Sequence, residues 1–295
     1  MADTRFRGID GYDTIEKTER RWAMARKRKK TGPNLTNVLI AFLAAILVIS
    51  VGTAVYLLRA PAQTASNEPT APTAAKNAYD ADAFVMRDGF LCYEDAPYMV
   101  GIDVSTHQGL IDWQAVADAG VEFAILRVGY RGSTEGKLYE DEQFRENLAG
   151  ARAAGLQIGV YFFSQALTTE EAEEEAELAC RLLDGESLEL PVFYDWEEVS
   201  GGSRVESAAS VPMTDCAIAF CEAVERKGYA AGVYFNQSYG YGYLELERLQ
   251  DYTLWLAEYG DTPSFRYHFD CLQYTDSGTV DGIEGAVDLN LMILQ

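Results

Sequence analysis

The chain has 295 residues, 48% of them hydrophobic and only eight of them Pro, so it can bury a large core and is neither collagen-like nor wholly disordered. Residues 1–37 carry ten Lys/Arg and five Asp/Glu, whereas residues 38–295 carry 14 Lys/Arg and 41 Asp/Glu. Because phosphate contacts require clustered Lys and Arg, the acidic part argues against nucleic acid or an anionic lipid surface as a partner.

Zinc chemistry is also disfavoured. With only His107 and His268 in the chain, a three-His zinc site is impossible, and the five cysteines form no CxxC pair or zinc-finger spacing. Their odd number argues against a complete disulfide framework, although one bridge remains open, and buried free thiols are expected. No metal or cofactor is predicted.

Residues 38–58 form a run of 21 residues without a charge, which is long enough to cross a bilayer as a helix. Five basic residues, 26–30, precede this run and only Arg59 follows it, so the positive-inside rule places residues 1–37 in the cytoplasm as a basic tail. A single-pass signal anchor in the cell membrane, with the remainder outside, is therefore predicted. A cleaved signal peptide is the alternative, but its apolar region would be shorter.

The stretch 59–83 is rich in Ala, Pro and Thr and has no apolar period, which indicates an extended linker. Short β-branched and aromatic runs then alternate with helical patterns across 84–295, as in parallel βα units. Eight strands are predicted at 99–105, 123–130, 157–165, 190–197, 230–236, 253–259, 269–275 and 286–292. Helices are predicted at 112–119, 141–154, 169–184 and 214–227, with a short one over 243–249.

This order predicts an α/β fold: an irregular TIM-like barrel of five βα units followed by three β-strands, preceded by a single transmembrane helix. Sites in such barrels lie at the carboxyl ends of the strands. Asp195 and Glu197 end one predicted strand and, being two residues apart, share a face. Asp103 lies late in the first strand, and Asp288 lies in the eighth, which neighbours the first if the barrel closes.

Crowded carboxylates raise one another's pKa, which allows a Glu to remain protonated and donate a proton near neutral pH. Glycoside hydrolysis needs such a donor and a second carboxylate. Aromatic residues late in the strands suit sugar stacking, although half of them are expected to face the helices: Tyr130, Tyr161, Phe163, Tyr194, Trp196, Tyr234, Tyr259 and Tyr274. A Mg²⁺ site for phosphoryl chemistry is a weaker alternative, because no phosphate-binding loop is present.

The chain resembles the lysozymes of glycoside hydrolase family 25 over about residues 99–295. The resemblance rests on GIDVSTHQGLIDW (101–113), FAILRVGY (123–130), GVYFFS (159–164), LPVFYDWEEV (190–199), LWLAEYG (254–260) and LQYTDSGTVDGIEGAVDLNLM (272–292). It implies an irregular barrel and hydrolysis of the β-1,4 bond between N-acetylmuramic acid and N-acetylglucosamine of peptidoglycan, without cofactor. Leu272 departs from the family, where a Trp is frequent.

Residue by residue, the resemblance makes Glu197 the proton donor and Asp195 its acidic partner, with Asp103 and Asp288 as the other two catalytic carboxylates. Substrate-binding positions fall on Tyr161, Tyr234, Trp255 and Gln273. The resemblance does not fix the stereochemical course at the anomeric carbon. The configuration is either inverted, or retained with help from the acetamido group of the substrate. Two other functions also remain: a glycan-binding or scaffold module at the cell wall without turnover, and a hydrolase of another N-acetylated glycan.

Overall fold

A computed structural model of the chain describes residues 73–201, 203–205 and 207–294, which fall within one compact unit, Ala71–Gln295. The predicted cytoplasmic tail, membrane helix and most of the predicted linker lie outside these residues. Within the described part of the chain, no helix has the length and apolar character needed to cross a membrane.

Eleven strands and five α-helices form in the described residues. In chain order the strands are β1 (Phe84–Arg87), β2 (Phe90–Tyr93), β3 (Tyr98–Val104), β4 (Phe123–Arg131), β5 (Leu138–Glu140), β6 (Gln157–Ser164), β7 (Val192–Trp196), β8 (Ala231–Asn236), β9 (Thr253–Ala257), β10 (Cys271–Gly278) and β11 (Val287–Ile293). The α-helices are α1 (Trp113–Asp118), α2 (Phe144–Ala153), α3 (Thr169–Leu183), α4 (Met213–Glu225) and α5 (Gln237–Gly242).

Eight of these strands close into a barrel in the order β3-β4-β6-β7-β8-β9-β10-β11, with β11 pairing back onto β3. Seven strands run parallel, and β11 is antiparallel to both of its neighbours. The beginning of β11 therefore lies at the same end of the barrel as the carboxyl ends of the other seven. The predicted α/β barrel of eight strands is confirmed, with five βα units followed by β9, β10 and β11.

Three local features differ from the sequence predictions. The hairpin β1–β2, which turns at Asp88 and Gly89 with positive φ at both, and the short strand β5 were not predicted. The helix predicted over 243–249 is wrong, because only a 3₁₀ turn forms at Leu246–Arg248. The helix of that unit, α5, instead begins directly after β8, since the Asn236 side chain accepts a hydrogen bond from the Tyr239 amide and caps its start.

Large aromatic side chains fill the interior of the barrel, and glycines on the adjacent strands leave the space that these side chains occupy. Phe123 and Phe193 are both fully buried there. A Cβ on Gly101 would lie 2.5 Å from the Phe123 ring, and a Cβ on Gly232 would lie 2.5 Å from the Phe193 ring. Glycine at these two strand positions therefore leaves room for the aromatic ring of its partner on the neighbouring strand to pack over it inside the barrel.

Residues 74–83, at the end of the predicted linker, contact the barrel domain. Lys76 forms a β-bridge with Tyr267, and the Asn77 amide donates to the Arg266 carbonyl over 3.0 Å. The Tyr79 hydroxyl donates to the carbonyl of Phe269 over 2.7 Å. All five cysteines are buried and form no disulfide, as predicted from the sequence.

Candidate active site

The four predicted carboxylates meet at one end of the barrel. Asp103 lies near the end of β3 and Asp195 near the end of β7, while Glu197 is the first residue after β7. Asp288 is the second residue of β11 and reaches the same end because that strand runs in the opposite direction. Asp288 is aligned directly with Asp103 across the β3–β11 pair.

These carboxylates line a cleft of about 350 Å³. All eight sequence-predicted site residues line it, together with four further side chains: Asp103, Tyr161, Asp195, Glu197, Tyr234, Trp255, Gln273 and Asp288, with His107, Arg127, Phe163 and Tyr259. Trp255 is 1% exposed and packs edge-on against Tyr234, with ring centroids 4.7 Å apart. It therefore forms the floor of the cleft.

Asp103 is held by two amide groups. Its Oδ2 accepts hydrogen bonds from Gln273 Nε2 at 2.9 Å and from Asn290 Nδ2 at 2.8 Å. Gln273 Oε1 accepts from the Tyr234 hydroxyl at 3.0 Å, and Asn290 Oδ1 accepts from Trp255 Nε1 at 2.8 Å. Because each amide oxygen has its own donor, each amide nitrogen is directed at Asp103.

Burial and mutual repulsion raise the pKa of all four carboxyls. Desolvation is the largest cause for Asp103, and the hydrogen bonds from Asn290 and Gln273 partly oppose it. Desolvation and the neighbouring Asp103 raise the pKa of Asp288 to about 8. At neutral pH this pair therefore retains a proton, as expected for two carboxyls that face each other in a partly buried site.

Asp195 and Glu197 form the second pair. Desolvation and then the charge of Glu197 raise the pKa of Asp195 well above its usual range, and Arg127 opposes this shift. Desolvation and then Asp288 raise the pKa of Glu197 above its ordinary value, which is the direction that suits a general acid. Asp195 lines the cleft, and its Oδ1 is buried without a hydrogen-bond partner among the described residues, so this oxygen has an unused acceptor position.

Arg127 was not predicted as a site residue. It is the single Lys or Arg among the described residues that line the cleft. Its Nε donates to Asp141 Oδ2 over 2.7 Å, and the same oxygen accepts from the Thr106 amide over 3.1 Å. A cation placed mid-strand on β4, with alternate residues facing the barrel, was the signal that could have identified it.

The aromatic residues near the ends of the strands are divided between the cleft and the core, as the sequence analysis expected. Tyr161, Phe163, Tyr234 and Tyr259 line the cleft. Tyr194, Trp196 and Tyr274 belong to the core outside the barrel. Tyr130 instead stacks on Tyr139, with ring centroids 5.2 Å apart. Four sugar-stacking candidates therefore remain.

The cleft continues on both sides into shallower depressions. One, of about 850 Å³, shares His107 with the cleft and is lined by residues 107–112 and 282–284. The other, of about 400 Å³, shares Glu197, Tyr234 and Tyr259 with it and extends along residues 236–238. The carboxylates thus lie midway along a groove, the shape that suits cleavage within a polymer.

Sequence comparisons agree with this chemistry. The chain is 33% identical over 193 residues to the autolytic lysozyme of Clostridium acetobutylicum, a match that covers 65% of this chain and 55% of that protein. It is 29% identical over 208 residues to the uncharacterized protein YegX of Escherichia coli O157:H7, covering 68% of this chain and 72% of that one. The chain thus spans about half the length of the first relative.

Solved structures share the fold. The modular autolysin LytC of Streptococcus pneumoniae matches with a TM-score of 0.60 and 26% identity, over 71% of this chain and 52% of that one. A family 25 glycosyl hydrolase of Bacillus anthracis matches with a TM-score of 0.57 and 21% identity, over 69% of this chain and 92% of that one. The model of the glycosyl hydrolases family 25 matches residues 102–283. The chain belongs to the glycosyl hydrolases of family 25.

Proposed function

We propose that the protein is a muramidase that hydrolyses the β-1,4 bond between N-acetylmuramic acid and N-acetylglucosamine in peptidoglycan. The observation that carries this proposal is the convergence of four carboxyls with raised pKa values midway along an aromatic-lined groove. LytC has been solved in complex with a synthetic peptidoglycan ligand, and the autolytic lysozyme is a sequence relative. Both support peptidoglycan as the substrate.

In this proposal Glu197 is the general acid. Its pKa is raised by burial and by Asp288, which favours the protonated carboxyl, and in the proposed step that proton passes to the glycosidic oxygen as the bond to the anomeric carbon breaks. The leaving sugar departs as a neutral alcohol; water then adds its hydroxyl to the anomeric carbon, and its remaining proton returns to the carboxyl cluster, which restores the acid. No metal or cofactor takes part in these steps.

Asp195 orients the substrate in this proposal. Its buried Oδ1, unpaired among the described residues, is an acceptor for the N–H of the acetamido group beside the reacting carbon. Once Glu197 has given up its proton, its carboxylate places negative charge beside the positive charge that develops on the sugar ring in the transition state. Asp103 and Asp288 add further negative potential, and the Gln273 and Asn290 amides fix the position of Asp103.

The acid role is tested with Glu197→Gln and, as a matched control, Glu198→Gln at the adjacent carboxyl, which is exposed and does not line the cleft. Loss of a general acid lowers kcat by roughly 10²–10⁴-fold. We expect that loss for Glu197→Gln and a change below about twofold for Glu198→Gln. Equal activity of Glu197→Gln and wild type would refute the assignment.

We also propose that a single transmembrane helix over 38–58 anchors the barrel outside the cell membrane, with residues 1–37 in the cytoplasm. The uncharged run and the basic residues before it support this arrangement. In the test, the full chain is expected to stay in membranes after an alkaline wash, and external protease should remove the barrel from wall-stripped cells. A soluble product that starts near Ala62 would instead identify a cleaved signal peptide.

A further inference from the structure

The peptide bond between Glu197 and Glu198 is held from both sides by side chains of neighbouring βα units. The ladder of β7 ends before this bond, with Trp196 paired to Ser164 as its last residue. Beyond the ladder, the Glu197 carbonyl accepts a hydrogen bond from Gln165 Nε2 at 2.5 Å. The Glu198 amide donates to the Tyr239 hydroxyl at 3.0 Å. Both polar groups of one peptide unit therefore have a side-chain partner.

Gln165 is itself firmly positioned. It follows β6 directly and is fully buried. Its Nε2 also donates to the Ser164 carbonyl at 2.8 Å, and its own carbonyl accepts from an Arg204 guanidinium nitrogen at 2.8 Å. The Arg204 guanidinium is in turn paired with Glu171 at the start of α3. The residue whose side chain donates to the Glu197 carbonyl is thus itself anchored by two hydrogen bonds, one to Ser164 and one from Arg204.

Tyr239 is anchored on the opposite side. It belongs to α5, and its amide donates to the capping side chain of Asn236 over 3.0 Å. Its ring packs on Trp196, with centroids 5.9 Å apart, and the Trp196 indole donates to the Ala166 carbonyl over 3.0 Å. Neither Gln165 nor Tyr239 lines the cleft or the depression beside it. Neither residue is therefore placed to contact a bound glycan, and their hydrogen bonds reach the site through the 197–198 peptide.

We propose that Gln165 and Tyr239 are positioning residues that clamp the 197–198 peptide and so fix the Glu197 carboxyl above the groove. The inference rests on the proposed function, in which Glu197 must reach the glycosidic oxygen. A residue just beyond the sheet has no ladder to hold it, and a misplacement of about 1 Å can cost roughly 10²-fold in rate. The clamp provides the restraint that the sheet does not.

Tyr239→Phe tests the clamp by removing one oxygen atom. The control is Tyr243→Phe, because Tyr243 lies next to α5, is 43% exposed, and its hydroxyl has no hydrogen-bond partner among the described residues. With peptidoglycan as substrate, we expect kcat of Tyr239→Phe to fall about 10- to 100-fold at unchanged KM. Tyr243→Phe should stay within about twofold of wild type.

A second substrate, whose leaving group needs no protonation, distinguishes a misplaced general acid from a general loss of active-site structure. A dinitrophenyl β-glycoside of the disaccharide of N-acetylglucosamine and N-acetylmuramic acid releases a phenolate that needs no proton. On it the loss for Tyr239→Phe should shrink to below about threefold, as should that for Glu197→Gln. Equal losses on both substrates, or wild-type kcat of Tyr239→Phe on peptidoglycan, would overturn the clamp.

Gln165→Met gives the second half of the test, since it removes the amide donor at similar volume. Because both residues hold one peptide, the double variant Gln165→Met/Tyr239→Phe should lose less than the product of the single losses. Fully multiplicative losses would contradict a shared peptide. If the wild type cleaves no peptidoglycan, the proposed function fails, whereas activity of the wild type with an unaffected Tyr239→Phe rejects only the clamp.

Discussion

Asp103 and Asp288 face each other across an antiparallel strand pair although they lie near opposite ends of the barrel sequence. This pairing exists because β11 closes the barrel by running back along β3. Two carboxyls are thereby brought together in a partly buried site, and the pKa of Asp288 rises to about 8 as a result of desolvation and of Asp103.

Asp288→Asn should stabilise the fold at alkaline pH. A carboxyl whose pKa is higher in the folded protein than in the unfolded chain, where it is about 3.9, adds stability at low pH and loses it as pH rises toward about 8. Thermal unfolding should therefore give equal Tm values for wild type and variant near pH 4, and a Tm a few degrees higher for the variant near pH 9. A Tm difference that is the same at pH 4 and at pH 9 would show that folding does not raise the pKa of Asp288.

The Asp195→Asn variant should turn over peptidoglycan more slowly but bind the glycan as tightly as the wild type does. The substitution preserves size but replaces one carboxyl oxygen by an amide nitrogen, so the acceptor for the acetamido N–H is weakened. We expect kcat to fall by roughly 10²-fold or more, with the Kd for an uncleaved glycan changed by less than about threefold. Calorimetry on the inactive variant measures that Kd, and an equally large loss of binding would refute the orienting role.

Asn290→Leu should destabilise the protein and disturb Asp103. The substitution removes the donor to Asp103 Oδ2 and leaves Trp255 Nε1 without its acceptor inside the barrel. Each buried polar group left without a partner costs about 1–3 kcal/mol. Denaturant unfolding should show a loss of about 2–5 kcal/mol in the free energy of unfolding. A loss below about 1 kcal/mol would mean that this network contributes little to stability.

Gly232→Ala should destabilise the barrel interior. Its Cβ would lie 2.5 Å from the Phe193 ring and 2.8 Å from the Thr253 carbonyl oxygen, so either the ring or the strand must move. Overpacking of this kind costs about 1–3 kcal/mol in the free energy of unfolding. Gly242→Ala is the control, since nothing lies within 4 Å of its Cβ and its φ is not in the left-handed region. If both variants unfold at the same denaturant concentration, the steric argument fails.

The barrel strands and the four carboxylates could be predicted because parallel βα units leave a strong periodic signal and because strand ends converge. The antiparallel direction of β11 could not be predicted, because it depends on how the barrel closes and not on the local sequence pattern. Arg127 was missed because its partner Asp141 lies beyond the intervening strand β5 in the chain, on the segment before α2. The start of α5 was missed because the Gly-rich stretch 237–242 has low helix propensity, which the Asn236 cap offsets.

A muramidase and a glucosaminidase leave different sugars at the reducing ends of the cut glycan, so these ends identify the bond that the groove cleaves. Purified peptidoglycan is digested with the full-length protein in mild detergent, beside Glu197→Gln, and the new reducing ends are identified by mass spectrometry. We expect N-acetylmuramic acid at the reducing ends from the wild type and no products from the variant. Reducing ends of N-acetylglucosamine, or bound glycan that stays uncut by the folded wild type, would contradict this expectation.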